Sequence, residues 1–210
     1  MTRAEIETKI ATMAIKDFSD HVVRYKPGPH HWVLQKKDNH GWTSIFAVDI
    51  ICLGTSGSLF VGGDIGPVVF AYGPGNFEQR ISWVGHRPPP DHYVASKASI
   101  GTGQGGRAER DADLARVEIL EILEEEARND PEFDKKAALE ELQVAMSYLS
   151  DSFDLFYYEL PEEYYETLEG VGEHISSRVI FAHAAVHRLW QLITEGKADP
   201  VENIPERFTE

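Results

Sequence analysis

Cysteine is almost absent: Cys52 is the one thiol in 210 residues. A single cysteine excludes an internal disulfide framework and a cysteine-rich zinc module. It lies in the apolar run Ile50-Ile51-Cys52-Leu53, where its expected role is that of a small buried hydrophobe. Long hydrophobic runs are missing too. The longest, Ile45 to Leu53, is broken by Asp49 and falls far short of the ~20 residues a membrane-spanning helix needs. The first residues, MTRAEIETKIATMAIKDF, are charged and periodic and lack the apolar segment of a secretory signal. These absences predict a cytosolic protein with no membrane partner.

Basic residues are missing from one long stretch. Between Ala137 and Ser177 there are ten acids and no Lys or Arg. The whole chain carries −15, but residues 1–107 hold 11 Lys+Arg against 9 Asp+Glu, a net of +2. Residues 108–210 hold 9 against 26, a net of −17. A surface of that sign repels phosphate backbones, so the acidic half is not expected to bind nucleic acid directly. It attracts basic partners or cations.

A hydrophobic fraction of 42% with 26% charged residues is that of a folded chain. Ile6, Ile10, Met13 and Ile15 recur at near-helical spacing, and Thr2 with Glu5 three residues on forms a capping signature. A helix over 3–18 is predicted. Strands are predicted at 31–36, 42–53, 59–61 and 68–72, with short Gly- and Asn-containing links that favour an antiparallel meander. Asn76 and Asp91 are candidate N-caps for short helices on either side of Pro88-Pro89-Pro90. Residues 101–107 form a Gly-rich linker. Helical patterns come next: Leu114 to Asn129, a helix begun by Pro131, a short helix at Pro161 within an aromatic cluster, and Glu173 to Glu195. The expected organisation is therefore α+β: a domain over 1–100 with a small antiparallel sheet and flanking helices, the linker, and an acidic all-helical region over 108–210.

Gly63-Asp64-Ile65-Gly66, then Phe70, Trp83, Tyr93 and Lys97, resemble a pattern in an uncharacterised family of bacteriophage and prophage proteins. The resemblance covers residues 57–98, about a fifth of the chain. It implies an origin in a virus acting in bacterial cytosol; it brings no activity and no site residue with it. Independently of origin, Gly63 and Gly66 suit a tight turn with φ > 0, and Asp64 can hydrogen-bond backbone there.

Signals for chemistry are few. Gly101-Thr102-Gly103-Gln104-Gly105-Gly106 has dinucleotide-loop spacing, but a helical pattern rather than a strand precedes it, so it reads as linker. His183 and His187, four apart on a helix, are the one candidate metal pair, with His174 nearby. No glutamate stands between them for a metalloprotease base. His30, His31, His40, His86 and His92 crowd the first half, and with Asp64 or Asp91 could form an acid–base set. No cofactor and no catalytic residue is assigned.

Glu118, Glu121 and Glu125 form a negative stripe on a helix. With Glu140, Glu141, Tyr157, Tyr158, Glu162, Glu163 and Tyr164 they make the candidate partner-binding set, since tyrosines interleaved with acids suit an interface. The favoured reading is a non-enzymatic factor of phage origin, a counter-defence inhibitor engaging a basic, nucleic-acid-binding bacterial protein. The alternatives are an enzyme or ligand-binding protein with a His/Asp site in the first half, and a structural or homo-oligomeric phage component.

Overall fold

The structure is a computed structural model that describes residues 1–28, 30–39, 41–43, 47–53, 58–71, 77–100 and 108–198. The Gly-rich linker and the Asn76 cap lie outside the described residues. The class is α+β, as composition and periodicity predict. The chain divides into two compact units. A sheet unit comprises Glu7–Arg107 and Ile175–Glu210; a helical unit comprises Met1–Ile6 and Ala108–His174.

Helix α1 (Arg3–Phe18) begins with the capping box read from sequence. Thr2 Oγ1 accepts from the Glu5 N–H (3.3 Å) and Glu5 Oε2 from the Thr2 N–H (2.8 Å). Seven strands then form one antiparallel sheet: β1 (His21–Gly28), β2 (His31–Asp38), β3 (Gly41–Trp42), β4 (Val48–Leu53), β5 (Ser58–Gly63), β6 (Val68–Ala71) and β7 (Ala98–Ser99). Their order is β1-β2-β4-β5-β6-β7, with β3 paired to β2. The sheet begins with edge strand β1, not among the strands predicted from sequence, and its pairing with β2 has a register irregularity between Tyr25 and Gly28, around Pro27. An edge strand tolerates a proline that a central one could not. The single strand expected over 42–53 is two, β3 and β4.

Alternation decides which face is core. Val48, Ile50 and Cys52 on β4, Leu59 and Val61 on β5, and Val68 and Phe70 on β6 are buried in one cluster. Asp49, Ile51, Phe60 and Val69 point the other way and are half-buried. Onto the core face pack Ala11, Ala14 and Phe18 of α1, Ile81 and Val84 of α2 (Phe77–Gly85), and Val179, Ala182, Val186 and Leu189 of α7 (Ser177–Thr194). Each large apolar side chain removed from water in this way contributes about 1.5–3 kcal/mol. Residues 182–186 of α7 are buried one after another, the pattern of a helix enclosed on most of its circumference. Gly85 lets α2 and α7 approach closely, for a Cβ there would stand 2.6 Å from Trp190 Cβ and 2.9 Å from the Val186 carbonyl.

The unit boundaries therefore differ from the composition boundary. Helix α7 lies in the acidic 108–210 segment but completes the core of the sheet unit. It also starts later than periodicity suggests: Glu173–Ile175 is a strand, β9, paired with β8 (Ala108–Arg110).

The helical unit holds α4 (Ala112–Asn129), α5 (Lys135–Ser147) and α6 (Phe153–Tyr158), and then one 3-10 turn at Glu162–Tyr164. Each α-helix starts on a side-chain cap. Asp111 accepts from Leu114 N, Asp134 from Lys136 N and Ala137 N, and Ser152 from Leu155 N. Asp134, not Pro131, thus begins α5. The core joins Ala115, Ile119 and Leu123 of α4 to Ala138, Leu142 and Ala145 of α5, with Leu149, Phe156, Leu160, Leu168 and Val171.

Candidate functional site

The division into units concentrates the charge. The helical unit contains 22 Asp+Glu and 6 Lys+Arg, a net of −16; the sheet unit contains 13 and 14, a net of +1. The acidic surface predicted for the C-terminal half thus belongs to the helical unit. Residues 175–210, which go to the sheet unit, hold 5 Asp+Glu and 4 Lys+Arg, a net of only −1.

Within the helical unit the candidate residues separate by the groups they touch. Glu118 is half-buried and engaged: its carboxylate accepts the Gly172 N–H at 2.7 Å and pairs with Arg3 at 3.2 Å. It braces the backbone ahead of β9 rather than facing a partner. Gly172 itself has φ 76°, and a Cβ there would stand 2.7 Å from the Asp111 carbonyl and 2.9 Å from Ala115 Cβ. Only glycine permits both the turn and the close approach. Glu121 and Glu125, one and two turns on, are exposed.

Glu140 pairs loosely with Lys136 at 3.6 Å, and Glu141 accepts from the Tyr164 hydroxyl at 3.3 Å. Burial and the Glu141 carboxylate raise the Tyr164 phenol above its ordinary range. Glu162 and Glu163 are exposed on the 3-10 turn, and Tyr158 is 78% exposed. Tyr157 is half-buried against Phe156, with ring centroids 5.0 Å apart.

Tyr157 also forms one wall of a cleft of about 490 Å³ lined by Arg110, Tyr165, Glu166, Glu169, Gly170 and Glu173. Its hydroxyl accepts the Gly170 N–H at 3.1 Å and donates to the Leu168 carbonyl at 3.4 Å. Burial holds the phenol above its usual range. The Arg110 guanidinium lies over the rings of Tyr157 (5.1 Å) and Phe153 (5.5 Å). It reaches Glu173 Oε1 through Nε at 3.1 Å and Nη2 at 2.8 Å. With Glu173 neutralised in this way, Glu166 and Glu169 remain as the uncompensated charge of the lining. Two carboxylates beside a tyrosine ring can hold an ammonium or guanidinium group by charge and by cation–π attraction. Arg110 already shows that arrangement inside the unit. Sequence reasoning named Tyr157 and Tyr164 but not Arg110, Tyr165, Glu166, Glu169 or Glu173. The unbroken acidic and aromatic run Tyr164-Tyr165-Glu166 pointed to part of the lining, whereas Arg110 is 63 residues from its partner Glu173.

Comparison with known protein families, with curated proteins and with solved structures finds no match. The site is therefore argued from its own geometry.

The candidate metal pair is corrected by that geometry. His183 Nε2 donates to the carbonyls of Val84 (2.9 Å) and Arg87 (3.0 Å), and His187 Nδ1 to that of Gly85 (2.6 Å). Helices end with unpaired carbonyls, and the two imidazoles satisfy those at the end of α2. Desolvation lowers His183 to about 4, which keeps it neutral. His187 turns its other nitrogen to Gln191 Nε2 at 3.0 Å. Spacing of four places both rings on one face, but that face meets backbone.

The proposed acid–base set is similarly distributed. His31 binds Asp49 (2.6 Å), His86 Nδ1 binds the Ser82 carbonyl (2.7 Å), and Asp64 accepts the Ala47 N–H (2.9 Å). Gly63 and Gly66 have φ of 93° and 76°, so Gly63-Asp64-Ile65-Gly66 is the β5–β6 connector its residues suggest. His92 meets the buried carboxylate of Glu7 at 3.0 Å, whose other oxygen accepts the Ile175 N–H at 2.8 Å. Four polar groups thus serve four separate partners. Among the described residues no three His, Cys, Asp or Glu side chains gather as metal ligands, and no helix is long and apolar enough to cross a membrane.

Proposed function

We propose that this chain is a non-enzymatic protein-binding factor whose helical unit engages a basic partner, of the kind that handles nucleic acid in a bacterial cell. The observation that carries the reading is the segregation of −16 into one small unit while the other carries +1. Self-repulsion on that scale opposes compaction, so a surface of this sign makes physical sense when a cationic surface meets it. Glu121, Glu125, Glu162 and Glu163 supply exposed charge, Tyr158 and Tyr165 supply exposed rings, and the cleft between Tyr157 and Tyr165 receives an arginine or lysine side chain of the partner. Charge of this kind steers association and makes it salt-dependent. The likeness of residues 57–98 to phage proteins supports an origin among factors that counter bacterial defences, acting in the host cytosol.

Capture from bacterial lysate at low and at high salt tests the reading. A basic protein retained at low salt and released at high salt is expected. The double reversal Glu121→Lys, Glu125→Lys weakens retention, and Glu166→Lys, Glu169→Lys weakens it further. Retention that survives all four reversals sinks the proposal.

A further inference from the structure

The sheet unit carries a surface feature of opposite character to the acidic one. Tyr93, on the short helix α3 (His92–Ser96), is 52% exposed. Its ring stands edge-to-face on Trp83 of α2, with centroids 5.5 Å apart at 70°. Two cations converge on that same ring: the Arg87 guanidinium carbon 5.5 Å and the Lys97 ammonium 5.3 Å from its centroid.

The Arg87 side chain is held by an ion pair, and Lys97 is placed by its backbone. Asp91 caps α3 by accepting the Val94 N–H at 2.8 Å and pairs with Arg87 at 3.2 Å through its second oxygen. Burial opposes ionisation of Asp91, yet the amide and the guanidinium outweigh it and hold its carboxyl below the usual range. The Arg87 carbonyl is in turn held by His183 at 3.0 Å. Lys97 closes α3, and its carbonyl accepts the Ala71 N–H of β6 at 2.9 Å. Among the described residues no carboxylate pairs with the Lys97 ammonium. In the acidic unit, by contrast, the exposed rings of Tyr158 and Tyr165 have no cation over them among the described residues.

We infer that Tyr93, Arg87 and Lys97 form a binding platform for a nucleoside 5′-phosphate, with the base stacked on the Tyr93 ring and the phosphate held between the guanidinium and the ammonium. An exposed aromatic face accepts any base because every base has a π-face. Arg87 and Lys97 both lie over the ring, so a stacking base displaces them from it, and the freed guanidinium and ammonium are the groups that recognise phosphate, the first as a planar fork and the second as a point charge. Trp83 fixes the ring's attitude, so little ordering is required on binding. Asp91 neutralises one of the two charges, which leaves the platform mildly positive and suits a single phosphate better than a long duplex. The same chemistry is presented by a free nucleotide and by the 5′-phosphorylated end of a single strand. The platform lies in the unit of charge +1 and shares no residue with the proposed protein-binding surface, so either can fail without the other.

The test is a titration of the full chain, followed by calorimetry and by tryptophan fluorescence, with adenosine 5′-monophosphate, adenosine, inorganic phosphate, and a short single-stranded oligonucleotide with and without a 5′-phosphate. Saturable binding of the monophosphate is expected, with adenosine and inorganic phosphate each at least about tenfold weaker. Tyr93→Ala lowers affinity roughly tenfold, the loss of one stacked base, while Tyr93→Phe retains it. Lys97→Glu abolishes binding and Lys97→Arg restores it. Tighter binding of the 5′-phosphorylated strand than of the nucleotide assigns the ligand to strand ends; the reverse assigns it to free nucleotide. Absence of binding by every phosphorylated compound overturns the inference. So does unchanged affinity in Tyr93→Ala and Lys97→Glu, or inorganic phosphate binding as well as the nucleotide. Tyr93 and Lys97 are surface positions, and an unchanged melting temperature confirms that each variant is folded.

Discussion

His183 on α7 donates its Nε2 proton to the carbonyl of Val84, 99 residues away, across 2.9 Å. The contact joins α7 to the end of α2, and burial of the imidazole there favours its neutral form. It makes stability sensitive to acid. Desolvation depresses His183 from 6.5 to about 4 in the folded protein. The unfolded chain therefore takes up the proton first as pH falls, and stability drains away between about pH 6.5 and pH 4. On the order of 3 kcal/mol is lost across that window. Thermal unfolding followed from pH 7 to pH 4 should show the decline, and His183→Asn should flatten it while lowering stability at pH 7. A wild-type profile without slope in this range would refute the assignment.

Glu118 and Glu121 lie one turn apart on the same helix and should behave oppositely. Glu118→Ala strands the Gly172 amide in a half-buried place, at a cost of about 1–3 kcal/mol. Glu121→Ala changes an exposed side chain and stays within about 0.5 kcal/mol of wild type. Denaturant titration of the two variants reads the difference directly. If both variants matched wild type, the bracing role of Glu118 would be wrong.

Gly85→Ala should destabilise the sheet unit. The added methyl meets Trp190 Cβ and the Val186 carbonyl below 3 Å, and over-packing of this kind costs about 1–3 kcal/mol. Loss of amide protection in α2 and α7, measured by hydrogen exchange, should precede loss in the helical unit.

Salt should act on stability and on binding in opposite senses. Screening relieves self-repulsion in the −16 helical unit, so raising ionic strength from low to physiological should increase protection of α4 and α5 amides. The same change should weaken capture of a basic partner. Protection that falls with salt would mean the exposed carboxylates are not repelling one another.

Local chemistry was the legible part. The Thr2–Glu5 box, the Asp91 cap and the Gly63–Gly66 turn are decided by residues within a few positions of one another, and each forms as its residues predict. The role of Glu118 was hidden because its amide partner, Gly172, is 54 residues on. The pairing of His183 and His187 with the end of α2 was hidden because helical spacing reveals which residues share a face, never the surface that face meets. Charge misplaced the boundary for a related reason. Helix α7 comes after the acidic stretch in sequence, yet it carries few charges and its buried apolar residues belong to the core of the sheet unit. The basic partner rests on the charge, and the capture experiment decides it.

The sheet unit is discontinuous, with the helical unit's residues 108–174 falling between β7 and α7. That sets an order on synthesis. As the chain leaves the ribosome, the strands emerge well before the helix that supplies Val179, Val186 and Leu189 to their core. Until about residue 192 has appeared, Leu34, Ile50, Leu59 and Phe70 lack the cover that α7 brings to their core. A nascent or truncated chain that stops at the glycine-rich segment should therefore be sticky and short-lived. Fragments for expression should be designed by excising the helical insertion, not by cutting the protein in half.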